Sequence, residues 1–451
     1  MNSRCCLPLF AGLLGCAGGD DSAASTEAAA CVSGPAQDVI DTRLSLDLAE
    51  LTGQARISAC PERGAAEVTL DVSGLDIRSV ASGGQRIESH VEGGQLRVPV
   101  ADDEQVDFTV DYAFAASDKT RFDGWMPDLG ISFTWPYYCG NLFPCEPGLV
   151  DGVLFELELT GVPAGKTAVY PDSIPGEAPD YMLGFAVGDY EEMDVGRSDG
   201  GVEISAWYFP GQEQAARDGT ANMVDVFSFY ERTYGPYTFG PVAGTVQVDW
   251  GIDSWGGMEH HPYVHVAKWD FGDEEVQNHE MGHAWYGDGV RIACWEDFVL
   301  SEGTNTYITA RALEQVGGPD QWDYYVDGFL TPVCTGRDVN TIVLPDQTCN
   351  EIDFVNHDIW SLATYMKGAC FYEEVGDVIG PAALDVILGE FYEQNVGKAA
   401  RMQDMIDLIV ARSGEGDRAA IESAVTDWLR TEACPEDYAE RCRARQERGG
   451  R

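Results

Sequence analysis

The stretch that most restricts what this chain can be runs from His279 to Glu302, HEMGHAWYGDGVRIACWEDFVLSE. Its first five residues set two histidines one helical turn apart, so both imidazoles project from the same face and can reach one ion. Two ligands do not hold a metal tightly. A third candidate, Glu302, follows after eighteen intervening residues and opens the helical run SEGTNTYITARALEQVGG. In a helix, loop, helix arrangement that carboxylate falls in the first turn of the second helix and can swing onto the ion. Two histidines and one glutamate with an open fourth position form a catalytic zinc arrangement, so one Zn2+ per chain is expected on His279, His283 and Glu302.

Glu280 sits beside the pair, displaced toward the open position, and is read as the general base that takes a proton from the attacking water. A chance match on an amphipathic helix is the bland alternative. The histidine inventory tells against it, because His260, His261 and His265 lie just upstream among only seven histidines in the chain.

The formal charge of −48 and a pI near 4.2 exclude nucleic acid as a partner, since phosphate backbones need clustered Lys and Arg. The leader MNSRCCLPLFAGLLGCAGGDD has an arginine, a short apolar run and Leu13-Leu14-Gly15-Cys16, and reads as an export signal. It resembles the lipobox of bacterial lipoproteins. That resemblance implies lipidation of Cys16 and an anchor in the outer membrane or at the cell surface. An ordinary cleaved leader, giving a periplasmic or secreted protein, is the alternative. Contact with a membrane is expected only through that anchor. Thirteen cysteines, three of them in the leader, leave ten for disulfides. Sequence proximity suggests Cys31 with Cys60, Cys139 with Cys145, Cys334 with Cys349, Cys434 with Cys442, and Cys294 with Cys370.

After the leader (1–16) comes a small, polar tether (17–37). From 38 to 205 short alternating runs such as AEVTLDVS, DFTVDYAF and LFELELT predict a mostly antiparallel β domain. Beyond it the period changes to a helical one through 206–440, with a charged tail at 441–451. The fold class expected is α+β.

These motifs resemble the aminopeptidase N and leukotriene-hydrolase family of zinc metallopeptidases, the gluzincins. The resemblance covers roughly residues 38–435 and implies a thermolysin-like, mainly α-helical catalytic domain behind the β domain, acting on peptides. The family's Gly-x-Met-Glu-Asn strand is matched by GGMEHHP, which implies that Glu259 binds the substrate α-amine and that Gly256 and Gly257 pair with its backbone. The family's oxyanion-binding tyrosine, in Tyr-x-Lys-Gly, is matched by Tyr365 in TYMKG. Three positions depart from the pattern: His260 replaces Asn, Ser301 replaces the Asn before the third ligand, and TWP ending in Pro136 stands where a second amine-binding Glu is expected. The sequence also lacks the long helical C-terminal domain of many relatives. The reading that follows is a zinc aminopeptidase. A zinc endopeptidase or atypical peptidase of the same fold is the runner-up, and a non-catalytic cell-surface binding lipoprotein is the third alternative.

Overall fold

The computed structural model describes residues 36–100, 105–252, 254–336, 341–346, 349 and 352–443. The leader with Cys16, most of the tether and residues 444–451 of the tail lie outside the described residues. Among the described residues no helix is long and apolar enough to cross a membrane.

The first half is sheet because its segments alternate. In Thr52–Cys60, Ala55, Ile57 and Ala59 enter the core while Arg56 stays in solvent, and Ile57 pairs opposite buried Phe108. Seven strands form the main sheet, in the order Ser173–Ala178, Val153–Thr160, Asp38–Asp47, Thr52–Cys60, Val106–Phe114, Leu75–Ser82 and Gln85–Arg86. Pairing is antiparallel except between Asp38–Asp47 and Val153–Thr160, which run parallel. A second sheet contains Ile131–Phe133, which ends at the cleft described below.

The division expected near residue 205 cuts through a sheet. Glu191–Arg197 pairs with Glu203–Tyr208, which in turn pairs parallel with Val242–Val248, so both strands join the second half. Their sequence misleads because Glu191–Arg197 has a mostly exposed, polar pattern like the strands before it. The complete order is Glu191–Arg197, Glu203–Tyr208, Val242–Val248, Tyr263–Ala267, Gly257–Met258. The central strand is buried along nearly its whole length, as expected of a strand flanked by parallel neighbours and covered by helices.

The principal helices are α1 (Glu213–Gly219), α2 (Met223–Thr233), α3 (Glu274–Gly282), α4 (Phe298–Val316), α5 (Leu362–Ile379), α6 (Pro381–Asn395) and α7 (Met402–Arg412). α4 is the central helix: every residue from Phe298 to Leu313 is buried. Gly317 ends it with φ 77°, the left-handed conformation that the Gly317-Gly318 pair predicts. α4 begins three residues before the SEGTNTY run, so Glu302 stands in its second turn. α5 crosses α4 with glycine against glycine: a Cβ on Gly368 would lie 2.5 Å from the Gly303 Cα. That contact lets the two backbones approach closely and fixes Tyr365 relative to Glu302.

The Cys139–Cys145 bridge forms as expected. Cys60 is disulfide-bonded, and Cys31, its expected partner, lies outside the described residues. The other three pairings differ from expectation: Cys294–Cys349, Cys334–Cys434 and Cys370–Cys442, with sequence separations of 55, 100 and 72. Proximity in sequence fails here because helix packing, not chain distance, decides which cysteines meet.

Candidate active site

α3 is capped by Asp273, whose carboxylate accepts from the Glu275 N–H at 2.9 Å, and it carries His279 in its second half and His283 at its C-cap. The Nε2 atoms of His279 and His283 lie 3.2 Å apart. Glu302 Oε2 comes within 3.1 Å of the first and 3.4 Å of the second. A tetrahedral ion with bonds of about 2.0–2.1 Å needs its ligand atoms roughly 3.3–3.4 Å from one another, which is close to this triangle. The donor set therefore fits zinc. His283 Nδ1 lies 3.0 Å from the Tyr286 carbonyl, which can only accept, so Nδ1 carries the proton and Nε2 offers its lone pair to an ion. Burial alone would raise the Glu302 pKa, but His283 and His279 bring it down to about 2, so it is ionised. Asn305 ties α4 to α3 by donating to the His279 carbonyl at 2.5 Å.

Glu280, the expected base, lines the cleft beside this triangle. A Cβ on Gly257 would strike its carboxylate, so only glycine lets the strand pass this close. Burial raises the Glu280 pKa well above the carboxylate range. His283 opposes that shift, and Glu259, Glu302 and Glu275 reinforce it. Glu259, Glu280 and His283 each place one donor atom within 4.8 Å of the others. Gly257–Met258 is the last strand of its sheet, and Gly256, Gly257, Met258 and Glu259 all line the cleft.

Tyr365 stands over the metal triangle. Its ring lies 24° from parallel to that of His279 at 5.9 Å between centroids, and its hydroxyl meets the Glu302 carboxylate. Burial, with the surrounding carboxylates, raises its pKa well above 10, so the phenol keeps its proton. Lys367 points the other way and anchors α5, donating to the carbonyls of Thr341 (2.9 Å), Thr431 (2.6 Å) and Glu432 (3.1 Å). The Lys-Gly pair after the tyrosine is thus explained: the lysine holds the helix from behind, and Gly368 lets it approach α4.

The structure brings every residue expected at the site to one cleft of about 630 Å³: His279, Glu280, His283, Glu302, Tyr365, Gly256, Gly257 and Glu259. The upstream histidines do not join it. His260 and His265 face each other, Nδ1 to Nδ1 at 3.0 Å, and His261 lies against the Phe239 ring. Pro136 does not line the cleft either; its neighbour Trp135 does, alongside Glu259. No sequence pattern marks the aromatic lining made by Phe133, Trp135, Trp255 and Trp360, which come from distant segments. Nor does any motif indicate Asp270 and Glu275, acidic groups that also line the cleft. Asp270 is pushed up to about 6 by burial, then by Asp273 and Glu275.

Residues 271–428 match the peptidase family M1 domain, which spans α3, α4 and α5. Leucine aminopeptidase 2 of Coccidioides immitis is 21% identical over 445 residues, covering 86% of this chain and 69% of that protein. Other relatives are covered less: the match to tricorn protease-interacting factor F2 of Thermoplasma volcanium spans 44% of this chain and 27% of that protein. In fold, the chain is similar to the M1 zinc metallopeptidase from Deinococcus radiodurans, with a TM-score of 0.74 at 19% identity, covering 89% of this chain and 95% of that one. It is also similar to yeast LTA4 hydrolase, with a TM-score of 0.71 at 17% identity over 89% of this chain and 69% of the other. Residues 271–428 thus match the M1 peptidase domain, and the two-part fold is similar to that of M1 zinc metallopeptidases.

Proposed function

We propose that this protein is a zinc aminopeptidase, removing the first residue from peptides that carry a free amine. His279, His283 and Glu302 hold the ion. Once bound there, zinc supplies Lewis-acid chemistry, polarising a carbonyl and making a water acidic enough to lose its proton near neutral pH.

The protein's own groups do the rest. Glu280 takes the proton from the attacking water and returns it to the leaving amine. Tyr365, protonated and held over the triangle, donates a hydrogen bond to the oxygen that becomes negative. Gly257, on the outer strand of the sheet, and Gly256 just before it pair with the peptide backbone as an added strand would. Glu259 receives the ammonium.

The observation that carries the exopeptidase reading is the space behind Glu259. Trp135, Tyr181, Arg291, Trp295, Phe298 and Ser301 close it to about 10 Å³, enough for one water at most. A residue preceding the one anchored there has nowhere to go. The disulfides support the further reading that the protein is exported; lipid attachment at Cys16 rests on the leader's resemblance to a lipobox.

Free and N-acetylated forms of the same peptides test the proposal. Cleavage is expected of the free forms alone; equal rates on both end the aminopeptidase reading and leave an endopeptidase.

A further inference from the structure

We propose that the end of the cleft beside Glu259 is built to take a large aromatic side chain on the substrate's first residue, an inference that rests on the aminopeptidase reading. Four rings make one continuous apolar wall there. Trp255 and Trp360 stack with centroids 6.0 Å apart and planes 12° from parallel. Phe133 stacks on Trp255 at 5.3 Å, and Trp135 meets Trp360 edge to face at 4.7 Å. These spacings mean that the rings touch one another and present a surface, instead of standing apart as a cage around a cation.

The wall is rigid. Phe354 stacks behind Trp360 at 5.6 Å, and Trp250 supports Phe133 at 6.0 Å. Its position follows from Trp135, which borders the main cleft and also the small closed space behind Glu259. A substrate whose ammonium sits on Glu259 therefore carries its first side chain next to these rings. A wall of contiguous rings favours an aromatic partner over an aliphatic one of similar area, through offset and edge-to-face contacts.

Charge selects in the same direction. Glu259, Asp270, Glu275, Glu280 and Glu302 line the cleft, and among the described residues no Lys or Arg does. An acidic first residue would enter a field of carboxylates with no basic side chain to receive it, and is disfavoured.

Two measurements test the proposal. The first is turnover of Phe-, Leu-, Ala- and Glu-para-nitroanilide by the zinc-loaded full chain. The expected kcat/KM for Phe exceeds that for Ala by about tenfold or more, with no measurable Glu turnover. Trp360→Ala should collapse the Phe-to-Ala ratio to within about twofold, Trp255→Ala should lower it in the same direction, and Trp360→Phe should restore most of it. Both tryptophans are half-buried at the cleft, so both alanine variants are expected to fold. A flat wild-type profile, or a ratio unmoved by Trp360→Ala, overturns the proposal.

The second measurement is calorimetric binding of L-phenylalaninamide and L-alaninamide to the Glu280→Gln protein loaded with zinc. If no nitroanilide is turned over, the aminopeptidase reading falls and binding still decides this inference. At least tenfold tighter phenylalaninamide binding sustains the aromatic subsite, and equal or absent binding refutes it.

Discussion

His279 and His283 on one side, and His260, His261 and His265 on the other, are all buried and lie close together in the chain. They differ in what surrounds them. The first pair shares a carboxylate at 3.1–3.4 Å, has one ring nitrogen fixed by a carbonyl, and opens onto the cleft. The upstream three pack against Phe133 and Phe239, and His260 Nε2, His265 Nε2 and both nitrogens of His261 have no hydrogen-bond partner. The nearest carboxylate to His261, Asp288, is 3.7 Å away and already accepts from Tyr181. A buried imidazole becomes a ligand when an anionic partner and an open approach come with it. Without them it behaves as a polar-edged aromatic ring.

The largest effect that could break this contrast is loss of metal. His283→Ala, or a chelator, should release the zinc and reduce hydrolysis to background, whereas His265→Asn should keep one zinc per chain and most of the turnover. Metal analysis of the purified proteins checks both, and loss of zinc from the His265 variant would erase the distinction. Glu280→Gln sharpens it further. Zinc should remain bound while kcat falls by about 10²–10⁴-fold, the usual worth of a positioned proton acceptor.

Smaller effects come from the supports. Gly368→Ala drives a methyl into the Gly303 backbone. It should cost about 1–3 kcal/mol of stability in denaturant unfolding, as overpacked cores do. Tyr365 is displaced with the helix, so kcat should also fall, by roughly tenfold, less than loss of an oxyanion donor outright.

The smallest effect is on acid tolerance. Burial pushes His261 and His265 down to about 3, so both are neutral in the folded chain. Unfolded histidine titrates near 6.5, so the unfolded state binds more protons below that pH. The stability these groups contribute is therefore complete above about pH 6.5 and drains as pH falls toward 3, at up to roughly 1.4 kcal/mol per pH unit for each histidine. Urea midpoints between pH 7 and 4 should show a shallower slope for His265→Asn than for the wild type; identical slopes would mean that His265 does not titrate on unfolding.

The metal triad was legible in the sequence through local geometry: the spacing of His279 and His283 is a helix property, and Glu302 follows them after a short interval within a helical run. Tyr365 and Glu259 were legible only through the resemblance of TYMKG and GGMEHHP to family motifs, and Lys367 and Gly368 turn out to have structural jobs. What stayed hidden depends on tertiary contact. Phe133, Trp135, Trp255 and Trp360 form one surface only after three distant segments meet, and no single-segment pattern marks them. Three of the expected disulfides failed for the same reason, and the strands at 191–208 were misplaced because sheet membership is decided by the partner strand.

The bridges have one more consequence. Any backbone cut between Cys334 and Cys349 is spanned twice, by Cys294–Cys349 and by Cys334–Cys434. A protease nick in that segment would leave both fragments covalently joined, with the imidazole pair on one piece and the phenol on the other. Such a clipped molecule would migrate as intact on a non-reducing gel and part into two bands only when a thiol is added.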